Sequence, residues 1–213
     1  MSRVPGIVSL EACHRVRAVE SLTRAFHGDP MWTCVLPDDT TRDDLSRPMW
    51  DALIGFSRIY GAAHTTPEGE GASCWVAPEH ARMTVWKMIR TGFALPRSMM
   101  RMPKDARDRF FAMMRFIDGH HKRLMAAPHW YLWVLGVDPD AQGRGIGGAL
   151  LRPVLDRASV DGVTCYLETQ TEANVAFYRK RGFEVLLEER EPVGDLPIWF
   201  MACSPKRSGG DAA

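Results

Sequence analysis

The sequence predicts a single domain of the α/β (α+β) class, with a mixed, mostly antiparallel sheet flanked by helices. Three observations predict it. Strand-like and helix-like patterns follow one another in the order β, α, α, β, β, several helices, β, α, β, α, β, β, with one strand–helix–strand unit near the end. A glycine-rich loop joins an apolar, aromatic run at 129–136 to a helical pattern at 150–158. The 213 residues, 46% of them hydrophobic, suit one core, or one domain with a lobe inserted.

The elements can be justified in order. Residues 6–10 read as a weak first strand. Residues 11–26 read as a helix, since Cys13, Val16, Val19, Leu22, Ala25 and Phe26 fall near a 3.6-residue period. Gly28 and Pro30 end it. The short apolar run 31–36 is either a helical turn lining a cavity or plain core. A charged stretch, 38–44, opens a second amphipathic helix that runs to Tyr60. Residues 62–66 and 72–77 read as two strands joined by a turn at 67–71. Helical patterns at 84–95 and 104–125 are separated by Pro96 and Pro103, and the middle stretch 83–125 holds eight of the twelve methionines. Those side chains suit core packing, or a substrate cavity lined with Met, Trp and Phe. Residues 162–167 form a strand ending at Glu168, 172–181 a short helix closed by Gly182, and 183–190 and 196–202 the last two strands. Residues 204–213 are small and polar, a disordered tail by composition.

Composition excludes several classes. The formal net charge is +1, with no strong pull toward nucleic acid or a membrane. The five cysteines are scattered singly, which argues against a disulfide framework or a zinc site, so no metal is expected. No apolar signal core or bilayer-spanning run is present, and a reduced, cytoplasmic setting is expected.

The loop at 142–149 carries the chemistry. Glycine lets backbone N–H groups approach an anion closely, and a helix start adds unpaired donors and the positive end of its dipole. A phosphate-bearing cofactor is the natural occupant. Gly143, Gly145 and Gly148 also match a dinucleotide fingerprint, with Glu168 downstream. Residues 138–142 intervene between strand and glycines, however, and too little chain follows for that fold.

The second half resembles the GCN5-related N-acetyltransferase (GNAT) family. Gln142, Gly145 and Gly147 match its Q/R-x-x-G-x-G/A loop, and Asn174, Tyr178, Gly182 and Phe183 match its downstream pattern. The resemblance is best over 130–203 and implies one acyl-CoA N-acyltransferase domain over 1–203, its sheet splayed at the acyl-CoA site. Within the family it is nearest to puromycin N-acetyltransferase and its relatives, through residues 25–30, 71–79 and 166–169, Pro153, and residues 199–201. The segment 83–125 departs from that pattern, so the acceptor does not transfer.

The resemblance implies acetyl-CoA as co-substrate. It assigns the pyrophosphate to the N–H groups of Gly143, Arg144, Gly145, Gly147 and Gly148, within a site running from Gln142 through Ile146 to Ala149. It assigns the pantetheine arm to the Leu135, Gly136 and Val137 backbone, with the Leu135 N–H toward the thioester oxygen, a hydrogen bond to the CoA arm to Asn174, and a place in the cofactor site to Phe177. Arg144 either pairs with a phosphate or points to solvent. Tyr178 is the implied general acid, and a phenol protonated at neutral pH suits that role. Asn174 is alternatively a helix cap. Glu168 is the first candidate for the base, ahead of His27, Asp29, Glu79, His80 and His129. Phe26, Asp29, Trp32 and Trp75 are candidates for the acceptor site. The expected reaction moves acetyl to a primary amine of a small molecule, an antibiotic or aminonucleoside among the possibilities, with the protein a monomer or homodimer. Acetylation of a protein or peptide, or a non-catalytic CoA-binding sensor, stands as the alternative.

Overall fold

A computed structural model describes residues 6–80, 90–91 and 93–205. Seven strands form one sheet in the order β1-β2-β3-β4-β5-β7-β6: β1 Val8–Ser9, β2 Gly61–Thr65, β3 Gly71–Val76, β4 Trp130–Val137, β5 Cys165–Thr169, β6 Glu184–Arg190 and β7 Pro197–Cys203. Every neighbouring pair is antiparallel except β4 and β5. That parallel step needs a crossover, supplied by helix α6.

Among the described residues the helices are α1 Arg15–Phe26, α2 Pro30–Val35, α3 Asp39–Tyr60, α4 Ala94–Met100, α5 Lys104–Leu124, α6 Ile146–Asp161 and α7 Glu172–Arg179. One face of the sheet packs against α1, α2 and α3 through Leu22, Trp32, Trp50, Ile54, Ala72 and Val134. The other packs against α6 and α7 through Trp75, Leu132, Leu151, Val154, Leu167 and Tyr178.

One ambiguous run is resolved and one helix boundary differs from the sequence expectation. The run 31–36 is the helix α2, with Trp32, Val35 and Leu36 buried as core. Pro96, read as a break, lies in the first turn of α4, where its missing N–H costs no helical bond. Most of the helical pattern at 84–95 lies outside the described residues. Of the methionines, Met99, Met102 and Met113 are buried in the core, whereas Met100 is exposed.

Arg42, in the charged stretch that opens α3, is a buried clamp. Its guanidinium donates to Leu36 O at 2.7 Å, His27 O at 3.0 Å and Pro37 O at 2.9 Å, tying both ends of α2 to α3.

Candidate active site

The site begins with an interruption in β4. The pairing of β3 with β4 shifts register between Cys74 and Trp75, which leaves Trp133 as an extra residue. The bulge places two consecutive side chains, Trp133 and Val134, on the α1–α3 face. Leu132 before it and Leu135 after it both pack toward α6. On its other edge β4 pairs with β5 only at Trp130 with Cys165 and Tyr131 with Tyr166. Beyond that point the two strands part, and the β4 edge that faces β5 has no strand partner from Leu132 to Val137 among the described residues. The Leu135 N–H, Gly136 and Val137 lie along this opening.

The loop after β4 is ordered by its own side chains. The Asp138 carboxylate accepts the Asp140 N–H at 3.0 Å, and Gln142 Nε2 donates to Val137 O at 3.2 Å. Gly143 and Gly145 then take φ of 76° and 81°, a region that costs other residues about 1–2 kcal/mol. Gly145 is the N-cap of α6 and has no side chain to take up the first-turn N–H groups. Those donors stay open toward an anion. Arg144 is held at 2.5 Å by Glu70. The loop thus fits a pyrophosphate through backbone donors, with Arg144 already engaged.

Helix α7 closes the far side. A Cβ on Gly147 would sit 3.3 Å from the Phe177 ring, so the two helices approach closely there. The N-cap of α7 is Thr171, whose Oγ1 accepts the Asn174 N–H at 3.2 Å. The capping alternative for Asn174 is thereby corrected, and its side chain is exposed. One turn later Tyr178 is buried beside Phe183 in the cluster that holds Leu132, Leu135 and Leu167. Burial raises its pKa, and its hydroxyl makes no hydrogen bond among the described residues.

Glu168 lies half-buried on β5, past the point where the strands part. Its Oε2 accepts the Tyr131 hydroxyl at 2.8 Å. Its Oε1 and the Tyr166 hydroxyl are buried without a hydrogen bond of normal length. Burial pushes the Glu168 carboxyl up to about 7, although both tyrosine hydroxyls favour its charged form. Behind the tyrosines, His121 stacks on Tyr166 with ring centroids 4.5 Å apart. His129 Nδ1–H donates to Ala127 O at 2.8 Å, so its Nε2 accepts from His121 Nε2–H at 2.6 Å. Burial and the neighbouring imidazole lower the His121 pKa to about 4. His129 is thus structural in its contacts, and Tyr131, Tyr166 and His121 join the site without having been singled out in the sequence. A period of two along β5 does place Tyr166 beside Glu168 on one face.

The acceptor candidates separate. Gly136 gives Phe26 access to β4: a Cβ there would lie 2.9 Å from Phe26 Cε2 and 2.7 Å from Leu22 Cδ2. Phe26 stacks on Trp50 at 4.6 Å, and Trp32 meets Trp50 edge-on at 5.0 Å. Asp29 caps α2, accepting the Met31 and Trp32 N–H groups at 3.0 and 3.3 Å, and burial raises its carboxyl to about 6. Trp32 has only 4% of its surface exposed. Trp75 is not brought to this group. It is wholly buried on the opposite face, against Leu151 and Val154.

Residues 97–183 match the model of the acetyltransferase (GNAT) family. An uncharacterized N-acetyltransferase of Schizosaccharomyces pombe is 26% identical over 182 residues, covering 82% of this chain and 72% of that protein. The mycothiol acetyltransferase of Mycolicibacterium vanbaalenii is 39% identical over 80 residues, 34% of this chain and 27% of that one. Among solved structures, a Corynebacterium glutamicum protein described as histone acetyltransferase HPA2 and related acetyltransferase shares the fold. Its TM-score is 0.63 at 20% identity, with 95% of this chain and 97% of that one covered. Arylalkylamine N-acetyltransferase 2 from Aedes aegypti gives 0.61 at 9% identity, with 93% and 97% covered. The matched segment takes in the splayed strands, the open loop and α7, and the chain shares its overall fold with these acetyltransferase structures.

Proposed function

We propose that the protein transfers acetyl from acetyl-CoA to a primary amine of a small molecule, by direct attack within a ternary complex. An aminonucleoside or another amine-bearing antibiotic is the first acceptor to examine. The observation that carries the reading is Glu168 at the parting of β4 and β5, its carboxyl poised near neutrality beside Tyr131 and Tyr166.

Bound acetyl-CoA supplies the acetyl thioester. The open N–H groups at Gly143, Gly145 and Gly147 hold the pyrophosphate, and the free β4 edge orients the pantetheine arm. The Leu135 N–H is offered to the carbonyl oxygen as negative charge gathers there. Glu168 takes up the proton that the amine releases while the new C–N bond forms. Tyr178 gives its proton to the sulfur as the C–S bond breaks, and burial keeps that phenol protonated until then. Phe26, backed by the buried Trp50 and Trp32, offers an apolar wall to the acceptor, and Asp29 a nearby carboxyl.

A small acceptor is supported by the position of Glu168, half-buried beside the Tyr131 and Tyr166 rings. The test is an amine panel with acetyl-CoA, including puromycin, arylalkylamines and peptides with free N-termini, followed by thiol release. Turnover of a small amine is expected. Turnover confined to peptides, or CoA binding with no turnover on any amine, sinks the reading.

A further inference from the structure

The cleft beside the start of α6 holds more positive charge than a backbone cradle needs. It has a volume of about 470 Å³ and is lined by Gly145, Gly148, Arg152, Asp156, Lys180 and Arg181. With Ala149 and Leu155 these make eight lining residues, of which three are cations and one is acidic. Arg152 and Lys180 are exposed and make no ion pair among the described residues.

Arg181 is positioned by the fold. Its guanidinium lies 3.5 Å from the centroid of the Phe177 ring, and Nη1 donates to Phe177 O at 2.5 Å. A Cβ on Gly148 would come within 2.6 Å of Arg181 Nη2. The guanidinium therefore lies across the first turn of α6, in the space that Gly148 leaves beside it. No carboxylate pairs with it among the described residues. A planar fork held by a ring and a carbonyl is pre-ordered for a phosphate, because little of its freedom remains to be lost. Arg144, on the other side of the loop, is engaged by Glu70 and does not compete.

On the acyl-CoA reading above, we infer that this cleft is the subsite for the ribose 3′-phosphate of coenzyme A, with Arg181 its main contact and Lys180 and Arg152 its supporting charges. The backbone donors of the loop take the pyrophosphate, and the cleft reads the additional phosphomonoester. It thereby selects CoA over its dephospho form. A phosphomonoester and a pyrophosphate share their chemistry, and dephospho-CoA, which keeps only the pyrophosphate, separates them.

The test is calorimetric titration with CoA and with dephospho-CoA, using wild type, Arg181→Met and Lys180→Met. Wild type is expected to bind CoA about 10- to 100-fold more tightly than dephospho-CoA, the scale of a charge-assisted contact. Arg181→Met is expected to lose most of that difference while binding dephospho-CoA within about 2-fold of wild type. Lys180→Met is expected to lose a smaller part. If wild type binds both nucleotides alike, the inference fails and the acyl-CoA reading stands. Equal weakening of both by Arg181→Met also overturns it, since the side chain would then serve packing or the pyrophosphate. Wild type binding neither nucleotide overturns the acyl-CoA reading and this inference together. The wild-type comparison needs no variant, so a misfolded Arg181→Met would leave it decisive.

Discussion

The Tyr131 hydroxyl donates to Glu168 Oε2 across 2.8 Å, joining β4 to β5 just where their backbones separate. Tyr131 belongs to the last paired position of the two strands, opposite Tyr166, and Glu168 stands two residues further along β5. The side-chain bond thus continues a ladder that the backbone has abandoned. It holds an acceptor oxygen toward the gap while the gap stays open for a ligand. Two opposed effects act on that carboxyl. Desolvation favours the neutral form, and the hydroxyls favour the charged one. Desolvation prevails, and the group rests near 7 rather than near 4.5.

The first prediction concerns the pH dependence of turnover. A base must be deprotonated to act, so kcat/KM should rise with pH through a limb centred near 7, the value to which burial pushes Glu168. Glu168→Gln should lower kcat by about 10²- to 10⁴-fold, the range for general acid–base groups, and remove that limb. A full pH–rate profile of both proteins checks it. A limb that persists in Glu168→Gln would assign it to the amine itself.

Tyr131→Phe removes a hydrogen bond that favours the charged carboxylate. The limb should therefore move to higher pH, not lower, with the plateau rate largely kept. The same profile on this variant reads the shift. Movement to lower pH would mean that the hydroxyl acts on some other group.

Stability should respond to the same carboxyl. The folded value is about 7 and the ordinary value 4.5, so between them the folded protein retains a proton that the unfolded chain gives up. The contribution of Glu168 is complete below about pH 4.5 and is lost as pH rises through 7. His121 runs the other way. Its folded value of about 4 against an ordinary 6.5 makes its contribution complete above 6.5 and lost as pH falls toward 4. Comparing Glu168→Gln with wild type cancels the histidine. The Tm difference should move in favour of the variant from pH 4.5 to 7 and be flat on either side. A difference independent of pH would overturn the assigned protonation.

Much of the donor side was legible in the sequence because it is local. The loop, its glycines and the helix they open occupy consecutive residues, and Asn174 and Tyr178 belong to one short helix. The acceptor side was not. Trp32 and Trp75 look alike in sequence, but the pleat sends Trp75 toward α6 while Trp32 packs under α3. The bulge at Trp133, which reverses the facing of β4, leaves no mark in the order of apolar residues. Arg181 reads as one more cation in a basic run. Its place over Gly148 depends on how α7 returns to α6, a tertiary relation.

Tyr178→Phe isolates the proton donor. The change keeps the ring against Phe183 and removes only the hydroxyl, which makes no hydrogen bond among the described residues. Fold and CoA affinity should therefore be kept within about 2-fold while kcat falls by about 10²-fold or more. Calorimetry with CoA and steady-state turnover read the two effects separately. Unchanged kcat would remove Tyr178 from the reaction.

The last prediction tests how α2 is held. Arg42 is only 6% exposed and gives three hydrogen bonds to carbonyls at the two ends of that helix. Arg42→Met keeps much of the aliphatic volume but strands those carbonyls, costing about 3 kcal/mol, or roughly 6–12 °C in Tm for a chain of this size. Because α2 carries Asp29 and Trp32, loosening it should raise KM for the amine. The loop at Gly143 to Gly148 lies elsewhere, so the Kd for acetyl-CoA should stay within about 2-fold of wild type. Thermal melts and separate titration of the two substrates check both halves. An equal loss for both substrates would mean that the clamp supports the whole fold and not the acceptor side alone.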